Sequence, residues 1–222
     1  MHQKAGYFLS TIGSKYLMAI TGLAWSLFVM AHMLGNMLIL VGPEAYNRYG
    51  HALVSNPLIY VVEFALLIFI LTHVFKAFAL KSRNMRTKPM TYAIEATNCE
   101  KATKLSTRTM IFTGSLMLAF LIWHLITFKF GPHYTVVYDD LEMRDLYKLI
   151  VERFSSPYYC FFYGLSMIFV GIHLFHGFKS SFQTLGINHP RYNGFIKYFG
   201  YSYAVIVSVG FFIQPVYVYL VR

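Results

Sequence analysis

Four histidines lie inside long apolar segments of the chain, where an ionisable side chain is costly and usually has a function. They are His32, His73, His124 and His173, each in a different segment. A histidine ring can ligate a metal, relay a proton or simply complete a packed core. A lone buried histidine is more often structural than a ligand, but four of them, one in each of four segments, favour a shared role.

Two of these histidines lie far along their segments from the preceding basic residue. His32 follows Lys15 by 17 residues, and His124 follows Arg108 by 16. At a rise of ~1.5 Å per helical residue, they lie about 26 and 24 Å from that charged boundary.

The other two histidines lie close to the basic residues near the far ends of their segments. His73 precedes Lys81 by eight residues and His173 precedes Lys179 by six, so their depths are about 12 and 9 Å. Successive helices cross the membrane in alternating directions, so the four basic residues used as reference points lie at the same face of the membrane. The histidines therefore form two layers roughly 15 Å apart, with His73 and His173 in one and His32 and His124 in the other.

Two histidines per layer suit one haem per layer, held by an imidazole on each side. Zinc would need three or four ligands around one point. A proton relay would need several acids within the membrane, and only Glu63 qualifies. Because two axial histidines leave no open position for oxygen, the expected chemistry is electron transfer.

A short repeat accompanies the histidines. The dipeptide Thr-Gly occurs at Thr21-Gly22 and at Thr113-Gly114, and in both cases a histidine follows the glycine by ten residues. Small residues let helices or a flat macrocycle approach closely. Threonine and glycine are also simply common in membrane helices, so the repeat has two interpretations.

The composition predicts the elements that position these residues. The chain has 222 residues, of which 57% are apolar and 13% charged, whereas soluble domains carry roughly 25% charge. Apolar segments long enough to cross a bilayer occupy 16–41, 57–80, 106–130, 157–180 and 195–221. The sequence predicts one all-α transmembrane domain over 1–222, with five helices, the first four forming a haem-binding bundle.

The basic residues predict the orientation, because Lys and Arg favour cytoplasmic loops. With the N-terminus cytoplasmic, twelve of the 19 Lys and Arg residues lie in the inner segments and six in the outer ones. The net charge of +10 is therefore assigned to loops and not to a nucleic-acid partner. Five of the nine acids lie in 139–154, "DDLEMRDLYKLIVERF", which is predicted to be a helix on the outer membrane surface. The inside residues are Lys4, Lys15, Lys81, Arg83, Arg86, Lys88, Lys101, Lys104, Arg108, Lys179, Arg191 and Lys197, and the outside ones are Arg48, Lys129, Arg144, Lys148, Arg153 and Arg222.

Further candidates lie at the inner ends of the helices. Ser14, Lys15, Arg108 and Lys179 offer hydroxyl and cationic partners for haem propionates. His176 is one helical turn closer to water than His173, so it is expected either to bond a propionate or to lie at the interface. The two cysteines, Cys99 and Cys160, are expected near opposite faces, too far apart for a disulfide.

At these residues the chain resembles the cytochrome b membrane anchor of succinate dehydrogenase and fumarate reductase, in its single-subunit, two-haem form. "GSKYLMAITGLAWSLFVMAHMLGNMLIL" resembles the family's first helix, with its Met-Ala-x-Thr-Gly and His-x-x-Gly-Asn elements in order. "GPEAYNRYGHALVSNP" resembles the first external loop. "YVVEFALLIFILTHVFKAF", "TGSLMLAFLIWHL" and "GIHLFHGFKSSFQTLGI" resemble the next three helices, so the resemblance covers nearly the whole chain.

The resemblance implies axial ligation of one haem b by His73 and His173 and of a second by His32 and His124. It implies a bacterial inner membrane, with a flavoprotein subunit and an iron–sulfur subunit on the cytoplasmic face. Electrons would pass between these subunits and a membrane quinone, commonly menaquinone. The active site for succinate or fumarate would lie in another subunit.

Two features depart from some members of that family. "HALVSNP" has no acid before the second helix, and Gly171 replaces a glutamate two residues before the fourth ligand. Glu44, His51 and Glu63 remain candidates for an outer quinone site, although each is also an ordinary interface residue. Two other interpretations stay open: the cytochrome b anchor of another respiratory dehydrogenase, and a haem-free membrane anchor or transporter.

Overall fold

A computed structural model describes residues 10–86, 98–187 and 189–221, the side chains of residue 86 and of residues 98–108 excepted. The described residues form seven α-helices and one short hairpin. The helices are α1 (Thr11–Asn36), α2 (Pro43–Val54), α3 (Leu58–Arg86), α4 (Asn98–His124), α5 (Leu146–Phe154), α6 (Pro157–Thr184) and α7 (Pro190–Val221), and the hairpin consists of β1 (Thr135–Tyr138) and β2 (Leu141–Arg144).

Five helical segments are long and apolar enough to cross a membrane. They are Thr11–Leu40, Leu58–Met85, Thr109–Lys129, Pro157–Thr184 and Pro190–Val221. The predicted helical membrane protein with five spans is therefore confirmed at this level.

The bounds of the helices differ from the prediction near charged residues. The first, second and fourth helices extend past Lys15, Lys81 and Lys179, because a lysine can keep its ammonium group in water while its stem lies along the helix. The first span tightens to a 3₁₀ turn at Met37–Leu40, and the third widens to a π-helical turn at Leu125–Lys129.

The predicted surface helix over 139–154 is correct only in its second half, since α5 begins at Leu146. Its first half belongs to an antiparallel hairpin in which Tyr138 pairs with Leu141. The two residues between them, Asp139 and Asp140, have positive φ values of 48° and 62°. Two such residues make the tight turn whose twist matches a hairpin, and aspartate tolerates that conformation.

α2 is a helix in a segment that the sequence predicts to be an external loop. Gly42 precedes it with a φ of 146°, Pro43 occupies the first helical position and Glu44 lies in the first turn. Proline has no N–H to leave unpaired there, and an acid interacts favourably with the helix N-terminus.

α2, the hairpin and α5 lie together at one end of the bundle, called here the capped end. The side chain of Asn47 is fully buried between α2 and α5. Its amide donates to Asp145 Oδ1 at 2.9 Å, and its Oδ1 accepts from the Tyr147 N–H at 2.9 Å. Asp145 Oδ1 also accepts from the N–H of Lys148 at 2.9 Å and so caps α5. One buried amide thus joins the two short helices.

Arg144 closes the C-terminal side of the π-helical turn. Its guanidinium donates to the carbonyls of Phe128 at 2.9 Å and Pro132 at 3.2 Å. A cation at this position pairs with carbonyls that have no helical partner. Partial burial lowers the pKa of Arg144 from its ordinary value, but arginine remains charged at neutral pH.

The fifth spanning helix, α7, packs on α6 and α1 outside the bundle. It donates hydrogen bonds from Tyr203, Ser208 and Gln214 to backbone carbonyls of those two helices. The opposite end of the molecule carries Lys15, Lys81, Arg83, Lys179, Arg191 and Lys197, and is called here the basic end. Every acid whose side chain the structure describes lies towards the capped end.

Candidate metal-binding centres

The four histidines form two pairs in the bundle. His73 of α3 and His173 of α6 have ring centroids 6.4 Å apart, with ring planes at 66°. His32 of α1 and His124 of α4 have centroids 5.8 Å apart, with planes at 86°. These are the same partners that the depth estimate placed in common layers. The two sites are called here the basic-end pair and the capped-end pair.

The separation of the rings fits the group that the resemblance implies. A metal–imidazole bond is about 2.0–2.1 Å long, and the ring centre lies roughly 1.1 Å behind the nitrogen, so two imidazoles opposed on one iron have centroids about 6.3 Å apart. Both measured separations lie within about 0.5 Å of that value. Within the part of the chain that the structure describes, no group of three or more His, Cys, Asp or Glu side chains could hold a metal ion.

His73 is oriented by two acceptors on α1. Its Nδ1 lies 3.1 Å from the carbonyl oxygen of Met18 and 3.3 Å from the hydroxyl of Thr21. A carbonyl oxygen can only accept, so Nδ1 carries the proton and donates it. In the neutral ring, the unshared electron pair is then on Nε2, the nitrogen left to ligate a metal.

His173 has the equivalent partner on α4. Its Nδ1 lies 3.1 Å from the hydroxyl of Thr113, which itself donates to the carbonyl of Thr109 at 2.8 Å. Thr21 donates in the same way to the carbonyl of Leu17 at 2.7 Å. Since each hydroxyl has one proton, the geometry leaves its oxygen to accept from the histidine.

The glycine after each threonine lies against the same ring. A Cβ atom at Gly22 would come within 3.1 Å of His73 Cε1, and one at Gly114 within 3.3 Å of His173 Cε1. The Thr-Gly repeat therefore contacts the basic-end pair, whereas the histidine ten residues later belongs to the capped-end pair. Ten residues of helix span about 15 Å, which is the separation estimated for the two layers.

The capped-end pair has amide and phenol partners instead. Asn36 Nδ2 lies 3.3 Å from His32 Nδ1 and donates to the His32 carbonyl at 2.8 Å. Asn36 Oδ1 accepts from the hydroxyl of Tyr46 at 2.6 Å. Burial raises the pKa of Tyr46, so its hydroxyl keeps its proton at neutral pH. On the other side, the Tyr163 hydroxyl lies 3.5 Å from His124 Nδ1.

Aromatic rings surround the capped-end pair. Phe28 stacks on His32 with centroids 5.3 Å apart, and Phe128 lies 5.4 Å from the ring of His124. Phe120 and Phe211 complete this wall at 5.9 and 5.8 Å from the nearer histidine. An apolar aromatic wall suits the faces and edges of a macrocycle better than a hydrated ion.

The other predicted site residues lie at the basic end. Ser14 is buried, and Lys15 is exposed beside a shallow cleft of about 330 Å³ that Tyr16 and Ser180 also line. Lys179 is exposed. His176 Nδ1 is buried and has no hydrogen-bond partner among the residues that the structure describes. The side chain of Arg108 lies outside the described residues, as does that of Cys99.

The three candidates for an outer quinone site have separate partners. Glu44 pairs with Arg48 at 2.8 Å, the imidazole of His51 lies 3.2 Å from the Ser55 hydroxyl, and Glu63 pairs with Lys129. All three contacts join side chains that are at least partly exposed. Their geometry therefore does not define one common site.

Several groups that contact the histidines at the two ends of the bundle were not predicted from the sequence. Asn36 and Tyr163 had no assigned role, and neither had the carbonyl of Met18. The contact of Asn36 with His32 could have been predicted from the His-x-x-Gly-Asn element, because residues four apart in a helix lie next to each other. Tyr163 had no comparable signal, since its contact with His124 joins distant parts of the sequence.

Comparisons with protein-family models, curated proteins and solved structures found no match to this chain. The fold defines its class: a helical protein with five segments that can span a membrane. The two histidine pairs, at two levels of the bundle, are the features from which a function can be argued.

Proposed function

We propose that this chain is a di-haem cytochrome b that anchors a succinate dehydrogenase or fumarate reductase in the membrane. It would carry electrons between an iron–sulfur subunit and membrane quinone. The observation that supports this most is the presence of two histidine pairs at different levels, with ring centroids 6.4 and 5.8 Å apart. Each pair offers two axial ligands and no third one, as a six-coordinate haem requires.

The histidines of each pair would hold one haem b. The haem iron, when bound, accepts and gives up one electron. The chain contributes orientation and a dry environment. His73 and His173 are held through Nδ1, which leaves Nε2 for the metal. Around His32 and His124, the aromatic wall keeps water away and lowers the local dielectric constant.

The distribution of charge supports the proposed orientation. Among the residues whose side chains the structure describes, the basic end carries lysines and arginines, while the acids lie towards the capped end. The positive-inside tendency would place the basic end in the cytoplasm. The flavoprotein and iron–sulfur subunits would then dock near the basic-end pair, in a bacterial inner membrane, with quinone, commonly menaquinone, as the membrane partner.

Haem quantitation of the purified full-length chain tests the proposal. The wild type should bind two haems and show a reduced low-spin b-type spectrum. His73→Ala and His173→Ala should lose one and the same haem, and His32→Ala and His124→Ala the other. His51→Ala, at a partly exposed position outside both pairs, is the matched control. A wild-type chain without haem would favour the haem-free anchor or transporter, and a shared loss in His73→Ala and His124→Ala would refute the pairing.

A second measurement addresses the partner subunits. Purification from native membranes in mild detergent should recover a flavoprotein and an iron–sulfur protein with this chain, together with succinate:quinone activity. Recovery of a hydrogenase or formate dehydrogenase module would support the alternative respiratory anchor and leave the haem assignment intact.

A further inference from the structure

The two histidines of the basic-end pair are held by equivalent contacts in different halves of the chain. A threonine of α1 faces Nδ1 of His73, and a threonine of α4 faces Nδ1 of His173. Each hydroxyl donates to the carbonyl four residues earlier. Each following glycine places its backbone against the Cε1 edge of the same ring.

We infer that Thr113 is a positioning residue that holds His173 as the tautomer protonated on Nδ1, and that Thr21 shares the same role at His73 with the carbonyl of Met18. The role towards iron rests on the proposed function, whereas the tautomer is a property of the chain itself. With the proton fixed on Nδ1, each ring presents its unshared pair on Nε2. A hydrogen-bond acceptor at Nδ1 also fixes the ring orientation and makes the ligand nitrogen more basic.

The hydroxyl protons decide the direction of these hydrogen bonds. For Thr113, the carbonyl of Thr109 at 2.8 Å is closer than His173 Nδ1 at 3.1 Å. Turning the hydroxyl towards the ring would give up the shorter bond and leave that carbonyl with less than its full pairing. The oxygen of Thr113 is therefore the acceptor, and the proton on His173 Nδ1 is the donor.

Thr21 and Thr113 occupy equivalent positions, but the histidine that Thr21 contacts has a second acceptor for its Nδ1 proton. His73 Nδ1 also donates to the carbonyl of Met18 at 3.1 Å, an acceptor that no side-chain substitution removes. Thr113 is the partner of His173 Nδ1 in the described part of the chain. Loss of the Thr113 hydroxyl should therefore matter more than loss of the Thr21 hydroxyl.

Nitrogen NMR of histidine-labelled, haem-free full-length chain tests the tautomers directly. Wild type should show His73 and His173 protonated on Nδ1. Thr113→Val should release His173 from that tautomer, Thr113→Ser should restore it, and Thr21→Val should leave His73 unchanged. Thr184→Val is the matched control, because Thr184 donates to the carbonyl of Ser180 at 2.9 Å without facing either histidine of the pair.

Haem titration of the same variants supplies the second measurement. Thr113→Val should bind the basic-end haem about 10–100-fold more weakly, the usual effect of losing a residue that orients a ligand. The loss in Thr21→Val should be smaller. His173 protonated on Nε2 in the wild type, or an equal loss in both valine variants, would overturn the inference. Failure of the wild type to bind haem would instead overturn the proposed function, while the NMR result would still decide the tautomers.

Discussion

The two ends of the bundle hold their histidines by different means. At the basic end, backbone and hydroxyl oxygens accept from Nδ1, and glycines lie against the rings. At the capped end, an amide nitrogen and a phenol face Nδ1 while phenylalanines surround the rings. Ligands with an acceptor at Nδ1 are more basic, so the two pairs would not be electronically equivalent.

The two ends also differ in which elements of the fold fix the histidine rings. The basic-end contacts come from helix-interior positions, one turn of α1 and one of α4. The capped-end contacts depend on Asn36, whose amide is held by Tyr46 from α2. A membrane bundle can thus orient a ligand from within its helices, or from an extramembrane layer packed on top of it.

The largest expected effect concerns that layer. Asn47→Ala removes both hydrogen bonds between α2 and α5 and leaves Asp145 Oδ1 and the Tyr147 N–H with fewer partners. Each unsatisfied buried group costs about 1–3 kcal/mol. Unfolding in mixed detergent and SDS micelles should show this loss, while Asn193→Ala, at a position outside the capped end, should stay near wild type. An unchanged Asn47→Ala protein would mean that the cap is not held by this amide.

The next effect separates the two ends. Asn36→Leu removes the acceptor of the Tyr46 hydroxyl and the amide beside His32, and should destabilise the chain by about 1–2 kcal/mol. With the proposed haems bound, the absorption and redox behaviour of the capped-end haem should change, and those of the basic-end haem should not. Tyr46→Phe, which removes only the hydroxyl, should give a weaker version of the same change. Equal changes at both haems would contradict the independence of the two ends.

How far the sequence predicted this site depends on the kind of contact. The pairing of His32 with His124 and of His73 with His173 follows from counting residues to charged boundaries, because helical rise is constant. The Thr-Gly repeat can be read from the sequence. The histidine that each repeat contacts cannot, because it lies on another helix. The segment 139–154 was predicted wrongly in its first half. Its apolar residues have helical spacing, but the turn residues Asp139 and Asp140 determine a hairpin there.

A smaller effect tests the close packing at the basic end. Gly22→Ala places a methyl group 3.1 Å from His73 Cε1, and Gly114→Ala places one 3.3 Å from His173 Cε1. Overpacking costs about 1–3 kcal/mol, partly offset by the gain of about 0.5–1 kcal/mol for alanine over glycine in a helix. The net loss should be about 1 kcal/mol and larger for Gly22→Ala.

Gly177→Ala is the matched control for this pair, because its methyl group would meet Met110 at an ordinary 3.7 Å. It should be neutral or slightly stabilising in the same unfolding assay. If Gly22→Ala were equally neutral, the ring of His73 would have room to move, and the glycines would contribute nothing to the orientation of the basic-end pair.

The smallest effect concerns the attachment of α3 at the capped end. Glu63 near the start of α3 pairs with Lys129 at the end of the π-helical turn, and both side chains are less than half exposed, at 44% and 42%. Such half-exposed pairs contribute about 1 kcal/mol or less, and salt weakens them. A double-mutant cycle with Glu63→Gln and Lys129→Met should therefore give a coupling below about 1 kcal/mol that falls further at high salt. A coupling well above that, insensitive to salt, would mean that the pair is shielded from water, and that α3 is anchored at the capped end as firmly as His73 anchors it at the basic end.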